Sequence, residues 1–588
     1  MDLIKSILGN IELIGETGNW KISAVSEIPE PGLELIHLDF TVPKAEVPPH
    51  VTLKWSTPQI DMQIRWFPAG QFGRNIPPDF TSMIPSNLAS SIPIMQLINF
   101  KDENRVLFAV SDAMRKINLM GGVCEKTNEI TFKAELFSVP EAPLSSCKVT
   151  LRLDTRKMFY ADSIRAAMEW FCTFPEYAPV PPPKAAFEPI YSTWYSYHQN
   201  VSDDAIRKEC ELAKEYGMKG VILDDGWQTD DVKGGYGFCG DWDASGEKFP
   251  NMRAHVESVH KLGMKYVVWF AVPFVGEKSK NFNRFKSKYL YSRPTLETWV
   301  LDPRFPEVRE FLIETYEKAV KEWDIDGFKL DFIDSFRFEG EDPAVKENYA
   351  GRDIQSLPHA VDKLLSDVMA RLRKLKPDIL IEFRQSYIGP AIRKYGNMFR
   401  AGDCAAATIT NRNRTIDLRL TSGDTAVHSD MLEWHYADSA ENAALQLLNI
   451  LFSVPQISVR LAEIPESHRR MLRFWLDFCI RHKDVLQNGY LKPYHPDNNY
   501  PIVSAENKTE KVIAVYRADM AAEADCEPGK TCYVVNATGY EYVILDLKRK
   551  PVSAEYFDTM GNPVKDIVPE AGISRVSIPA SGLLKLKF

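Results

Sequence analysis

The sequence predicts a multidomain chain with a central (β/α)8 TIM barrel, flanked by an N-terminal β-sandwich and a C-terminal antiparallel β-domain. Three observations carry this. Short apolar strands alternate with amphipathic helices through the middle of the chain, a proline cluster stands just ahead of that alternation, and helix-free strand runs occupy both ends.

Residues 1–180 hold the runs VTLKW, IDMQIRWF, EITFKAEL and KVTLRL, separated by turns bearing Pro, Gly and Asn, which read as a sandwich. The cluster Pro179-Val180-Pro181-Pro182-Pro183 then marks a stiff boundary, because consecutive prolines join neither a helix nor a sheet interior. Residues 181–487 form the predicted barrel, with strands at PIYSTWY, GVILDDGW, KYVVWFAV, GFKLDFID, ILIEFR, MFRAGD, TAVHSD and QISVR. Helical periodicity supplies the connections. Val308, Phe311, Leu312, Thr315, Ala319 and Trp323 fall on one face before the fourth strand, and Val361, Leu364, Leu365, Val368, Leu372 and Leu375 on one face before the fifth. Residues 488–588 return to strands without helices at KVIAVYRA, CYVVNAT, YVILDLK, VSAEYFD and LLKLKF.

Composition narrows the function. With 588 residues, 45% of them apolar, the chain has material for more than one core. Its 71 basic and 80 acidic residues leave a net charge of -9, and the longest basic runs, Lys548-Arg549-Lys550 and Arg371 to Lys376, fall at a strand end and a helix C-terminus. This argues against a nucleic-acid partner. No stretch approaches the run of about 20 apolar residues that spans a membrane, and the opening MDLIKSILGNIELIG lacks the features of a secretory leader, so a cytoplasmic protein is expected. Nine cysteines, an odd number without CxxC spacing, read as free thiols rather than a disulfide framework or zinc cluster. The histidines form no HExxH, and Gly235-x-Gly237-x-x-Gly240 precedes no helix. Neither a metal nor a cofactor is expected.

In a barrel of this kind the C-terminal ends of the strands converge on one pocket. Here they offer Trp194 and Tyr195, Asp224, Asp225 and Trp227, Trp269, Lys329 and Asp331, Arg384 and Gln385, and Arg400 and Asp403. Alternation along GFKLDFID places Lys329 and Asp331 on the same side, toward the barrel axis, where a nearby ammonium keeps a carboxylate ionised. Asp403 ends a strand one or two further round. Two carboxyls around 5 Å apart cleave a glycosidic bond with retention, one attacking the anomeric carbon and the other protonating the leaving oxygen. The segment DDGW adds paired acceptors and an indole, a combination that suits sugar hydroxyls and the apolar face of a pyranose. Each residue taken singly has a plainer reading, as a turn or capping aspartate or a core tryptophan. Their convergence favours a small carbohydrate as the partner.

Taken in order, TWY, LDDGWQ, KFPN, HKLGMKYVVWF, DGFKLDF and the Asp403 segment resemble the α-galactosidases of glycoside hydrolase family 36 between Tyr191 and His435. The resemblance implies that Asp331 is the nucleophile and Asp403 the acid/base of a retaining, exo-acting α-galactosidase. It further implies that Lys329 binds a hydroxyl, that Asp224 and Asp225 hold O4 and O6, and that Trp269 forms an aromatic wall. One departure stands out. Where many members carry C-x-S-G-G-G-R against O2, this chain has Glu382-Phe-Arg384-Gln385-Ser386. That change keeps an α-N-acetylgalactosaminidase, another α-glycosidase and a raffinose-synthase-type galactosyltransferase in view.

Overall fold

In the computed structural model, which describes residues 3–565 and 567–588, two six-stranded antiparallel sheets open the chain. One sheet runs in the order Ile4–Ser6, Gly9–Ile14, Val51–Pro58, Glu129–Leu136, Ile117–Cys124, Ile84–Ser86. The other runs Lys21–Glu30, Leu33–Glu46, Leu144–Asp154, Asn104–Val110, Ile94–Ile98, Ile64–Trp66. They bury a common apolar layer in which Trp55 stacks on Phe132 while Phe108 meets both rings edge-on. Alternating burial such as that of Val51–Pro58 is what a sheet with one dry face requires. A helix absent from the strand-only sequence reading, α1 (Tyr160–Phe171), follows the sandwich and buries Ile164, Ala167, Met168 and Phe171.

The centre is a ring of eight parallel strands: β1 (Ile190–Ser192), β2 (Gly220–Leu223), β3 (Lys265–Ala271), β4 (Gly327–Asp331), β5 (Leu380–Arg384), β6 (Met398–Arg400), β7 (Ala426–His428) and β8 (Gln456–Ile457). Each falls within a predicted strand. Strand β8 pairs with β1, and a parallel bridge between His428 and Val454 brings the approach to β8 against β7. The ring is thus close to complete.

Helices α2 (Trp194–Tyr197), α3 (Asp203–Glu215), α4 (Met252–Lys261), α5 (Pro306–Trp323), α6 (Leu357–Leu375), α7 (Thr408–Thr421), α8 (Ala440–Asn449) and α9 (Glu466–Arg481) occur along the barrel and its exit. Helix α3 is capped by the Ser202 hydroxyl and α4 by the Asn251 side chain, each accepting from a first-turn amide. On α5 the buried face holds Val308, Leu312, Ile313, Tyr316, Ala319 and Trp323. The predicted Phe311 and Thr315 are only half-buried, the stripe having rotated by about one residue. On α6 Val361, Leu364, Leu365, Val368 and Leu372 are buried as the periodicity demands, and Leu375 at the frayed end is exposed. Between β3 and α5 the chain adds a small antiparallel sheet of Phe274–Gly276, Tyr289–Arg293 and Thr298–Leu301.

The last part of the chain forms a seven-stranded and a three-stranded sheet, antiparallel except for two parallel pairs, Glu510–Val515 with Thr531–Asn536 and Ala521–Glu523 with Val543–Leu547. All three regions meet at one buried cluster. Arg74 grips Asp417 of α7 at 2.8 and 2.6 Å, while Trp66 Nε1 and the Tyr500 hydroxyl donate to the same carboxylate at 3.1 and 2.5 Å. No helix among the described residues is long and apolar enough to cross a membrane.

Candidate active site

Strand register decides which side chains meet at the C-terminal rim. Lys329 pairs in register with Trp269 on one side and Glu382 on the other, and Asp331 pairs with Ala271. Two residues beyond Glu382, Arg384 therefore stands level with Asp331 on the neighbouring strand. The Arg384 Nε donates to Asp331 Oδ1 at 2.7 Å. The Tyr387 hydroxyl and the Phe332 amide reach the same oxygen, each at 2.7 Å, whereas among the described residues Oδ2 accepts only from Trp269 Nε1 at 3.0 Å. Burial works against charge on Asp331. Arg384 and Lys329, with the Tyr387 and Trp269 hydrogen bonds, outweigh it and hold the carboxyl well below the usual range.

Asp224 lies one residue past Leu223, which pairs with Val268, so it is level with Trp269 and hence with Lys329. Strands β2 and β4 are alternate strands of the ring, and inward side chains of alternate strands share a layer. Lys329 Nζ accordingly donates to Asp224 Oδ2 at 2.5 Å rather than to Asp331, which it influences only through space. Asp225 is held differently. Its two oxygens accept from Gln228 and Gln199, each at 2.7 Å, and burial raises its pKa to about 6. Gly226 follows with φ +112, and a Cβ there would lie 2.5 Å from the Gln199 backbone, so only glycine lets the chain turn between Asp225 and Trp227.

Asp403 occupies a turn after β6, and 58% of its side-chain surface is open. Arg400 Nη2 donates to its Oδ1 at 2.8 Å, and the other arm of the same guanidinium pairs with Asp430. Partial desolvation opposes ionisation of Asp403. Arg400, then Lys329 and Arg384, overcome this and lower its pKa, while the charge of Asp331 pulls the other way. Asp331 and Asp403 thus lie within one electrostatic neighbourhood. The turn itself is pinned by three contacts: Gly402 N donates to Gln385 Oε1 at 3.0 Å, and Arg414 Nη1 reaches the Gly402 and Asp403 carbonyls at 2.8 and 2.7 Å.

The predicted site residues are not all brought together. Asp224, Lys329, Asp331, Arg384, Arg400 and Asp403 form a linked set of charges, with Asp225 adjoining. Trp194 and Tyr195 are half-buried on α2, with the Tyr195 hydroxyl donating to Asp430 Oδ2 at 2.9 Å. Gln385 is committed to the Asp403 turn. Trp227 is placed elsewhere: it is fully buried against Trp242, Phe270 and Trp323, because its indole N–H turns back to the Trp269 carbonyl at 3.0 Å. Trp269 is also buried, stacked on the half-buried Tyr236.

Sequence reasoning did not single out Tyr387, Asp430, Gln199 or Gln228. Asp430 lies in the predicted VHSD strand end and was within reach of the same strand-end inventory. Tyr387 stands three residues past β5, where nothing in the pattern marks it. Asp334, beyond β4, has Oδ1 buried without a hydrogen-bond partner among the described residues, and burial raises its pKa. His428 is structural: fully buried, it meets the Ala186 carbonyl at 2.8 Å, and burial lowers its pKa to about 4. No cluster of three metal-ligating side chains occurs among the described residues.

Comparison with known proteins locates a sequence likeness in the barrel. The melibiase family matches residues 185–391. An α-galactosidase of Lactobacillus acidophilus, Mel36A, is 26% identical over 203 residues, which is 33% of this chain and 26% of that protein. An A type blood α-D-galactosamine galactosaminidase of Flavonifractor plautii is 23% identical over 175 residues, covering 26% of this chain and 15% of its own. The chain thus matches about a quarter or less of the length of these relatives. In fold the likeness is wider: the family 36 α-galactosidase AgaA of Geobacillus stearothermophilus, solved with raffinose, superposes with a TM-score of 0.67 at 13% identity over 97% of this chain and 81% of that one.

Proposed function

From a barrel segment that matches the melibiase family, in a chain with the fold of family 36 α-galactosidases, we propose that the protein is a retaining, exo-acting α-galactosidase that removes terminal α-linked galactose from oligosaccharides. The observation that carries this reading is the environment of Asp331, a buried carboxylate kept ionised at a barrel strand end by four donors, Arg384 among them, and by the nearby Lys329.

Asp331 is the nucleophile. Its Oδ1 is taken by three donors and its Oδ2 by one, so Oδ2 keeps the freer lone pair and attacks the anomeric carbon. Asp403, on the open side, protonates the leaving oxygen; since Arg400 lowers its pKa in the empty site, it takes up that proton as the bound sugar strips water from it and raises its pKa. Once the glycosyl bond to Asp331 forms, a negative charge near Asp403 is gone, its pKa falls again, and it acts as the base that activates water. Asp224, Asp225 and Lys329 fix the sugar hydroxyls, and Tyr195 and Trp194 border the approach. Arg384, through its bond to Asp331, orients the attacking group.

The test is a panel of aryl glycosides with product stereochemistry followed by NMR. Release of α-galactose as the first product, and a trapped Asp331 adduct with a 2-fluoro galactosyl donor, are the expected results. Release of the β-anomer first would overturn the retaining mechanism. Because the Glu382–Ser386 segment bears on the group at C2, the panel includes α-N-acetylgalactosaminide and α-glucoside donors and a sugar acceptor. Preference for one of those donors, or transfer over hydrolysis, would reassign the activity on the same scaffold.

A further inference from the structure

At the opposite end of the barrel from Asp331, a cavity of about 770 Å3 lies among α1, the C-terminus of α7 and the segment Gln487 to Leu491. Phe187, ahead of β1, and Gly423 to Thr425, ahead of β7, line it, so it opens on the N-terminal ends of the strands. Three arginines, Arg165, Arg393 and Arg419, and two carboxylates, Glu169 and Asp424, line it.

They are not equally compensated. Arg393 pairs with Asp424 at 2.8 Å and Arg165 with Asp162 at 2.7 Å. Arg419 has no carboxylate within ion-pair distance among the described residues; its Nη1 reaches only the carbonyls of Phe452 and Leu486. Burial, then the charge of Arg165, lowers the Arg419 pKa to about 10. A half-buried guanidinium beside a second one costs free energy that carbonyl oxygens only partly offset. An oxyanion resolves both problems with charge-assisted hydrogen bonds, and the planar fork of arginine suits carboxylate and phosphate alike.

Gln487 adds a second requirement. It lines the same cavity, and its amide oxygen is buried without a hydrogen-bond partner among the described residues. A hydroxyl donor brought beside it would satisfy that acceptor. The volume is sufficient for a ligand the size of a monosaccharide.

We propose that this cavity is a binding site for a small hydroxylated oxyanion, a sugar phosphate or a sugar acid, with Arg419 and Arg165 on the anionic group and Gln487 on a hydroxyl. The site is separate from the catalytic rim and does not depend on the reading of Asp331.

Calorimetry on the full chain with glucose 6-phosphate, gluconate, inorganic phosphate and glucose tests this. Saturable binding of glucose 6-phosphate or gluconate at one site per chain is expected, with no binding of glucose, and whichever binds identifies the oxyanion as phosphate or carboxylate. Arg419→Gln should weaken that binding roughly tenfold or more. Gln487→Leu should remove the preference for glucose 6-phosphate over inorganic phosphate. If Arg419→Gln fails to fold by circular dichroism, Arg165→Gln replaces it under the same criterion. Absence of saturable binding by both hydroxylated anions, binding of phosphate alone, or undiminished affinity in the folded arginine variant overturns the proposal.

Discussion

The Nε of Arg384 lies 2.7 Å from Oδ1 of Asp331, in register across adjacent strands, so the attacking group and its main counter-charge are fixed by the sheet itself rather than by a loop. Removing the carboxylate therefore removes chemistry and leaves a buried cation. Asp331→Ala should lower kcat by roughly three orders of magnitude or more and cost about 3–5 kcal/mol of stability. Steady-state kinetics on an aryl α-galactoside and denaturant unfolding check the two parts. Added azide separates the two carboxyls. With Asp331→Ala it attacks the free anomeric face and gives β-galactosyl azide, whereas with Asp403→Ala it attacks the glycosyl-enzyme and gives the α-product. The same azide anomer from both variants would reject the division of roles.

Tyr387→Phe removes one donor from Asp331 Oδ1 without altering shape. A donor to the charged form lowers a carboxyl pKa, so its loss raises that of Asp331. Since Asp331 must be ionised to attack, the acid limb of kcat/KM moves to higher pH, by about one unit. The depressed folded value of Asp331 also contributes stability that is present at neutral pH and lost as pH falls through the acid range. The variant should show a smaller such contribution. A pH–rate profile identical to the parent's would show that Tyr387 does not tune the nucleophile.

The eight strands were legible because each is a short apolar run bounded by turns, and period-2 alternation alone places Lys329 and Asp331 on one side. The partner of Lys329 was not legible. Which carboxylate its ammonium meets depends on the layer shared by β2 and β4, and layers follow from register between strands distant in sequence. Trp227 shows the opposite difficulty: an indole beside two aspartates reads as a sugar platform, yet the turn at Gly226 sends it into the packing between Phe270 and Trp323. Gln385 also read as a ligand group, and the bond that its amide oxygen accepts from the Asp403 turn was not legible. Such residues are sorted by local backbone direction, which composition does not encode.

Arg400 holds Asp403 with one arm and Asp430 with the other, and a lysine lacks the two-armed planar fork that spans them. In Arg400→Lys the cation on Asp403 weakens and its pKa rises toward the ordinary carboxyl value. The acid form of Asp403 then persists to higher pH, so the alkaline limb of kcat/KM should move up by about one unit. Measurement with a disaccharide substrate is the more sensitive, because a poor leaving group needs the proton most. A limb that stays in place would assign the alkaline ionisation to a group other than Asp403.

Asp417 accepts from Arg74 and Trp66 of the sandwich and from Tyr500 of the C-terminal region while sitting on a barrel helix, so a single buried carboxylate joins three parts of the chain. Asp417→Asn keeps the volume but removes the charge that compensates Arg74, which is itself buried. Breaking a buried pair on one side costs about 3–5 kcal/mol. Because the loss falls at a junction rather than within one core, the expected signature is more than a lower midpoint: a cooperative thermal transition in the parent should broaden or split as the regions uncouple. The double variant Arg74→Met with Asp417→Leu removes both charges together and should recover part of the loss, since no buried ion remains unpaired. Calorimetry of the three proteins decides it. Equal midpoints for parent and Asp417→Asn would mean that the sandwich and barrel are held together elsewhere.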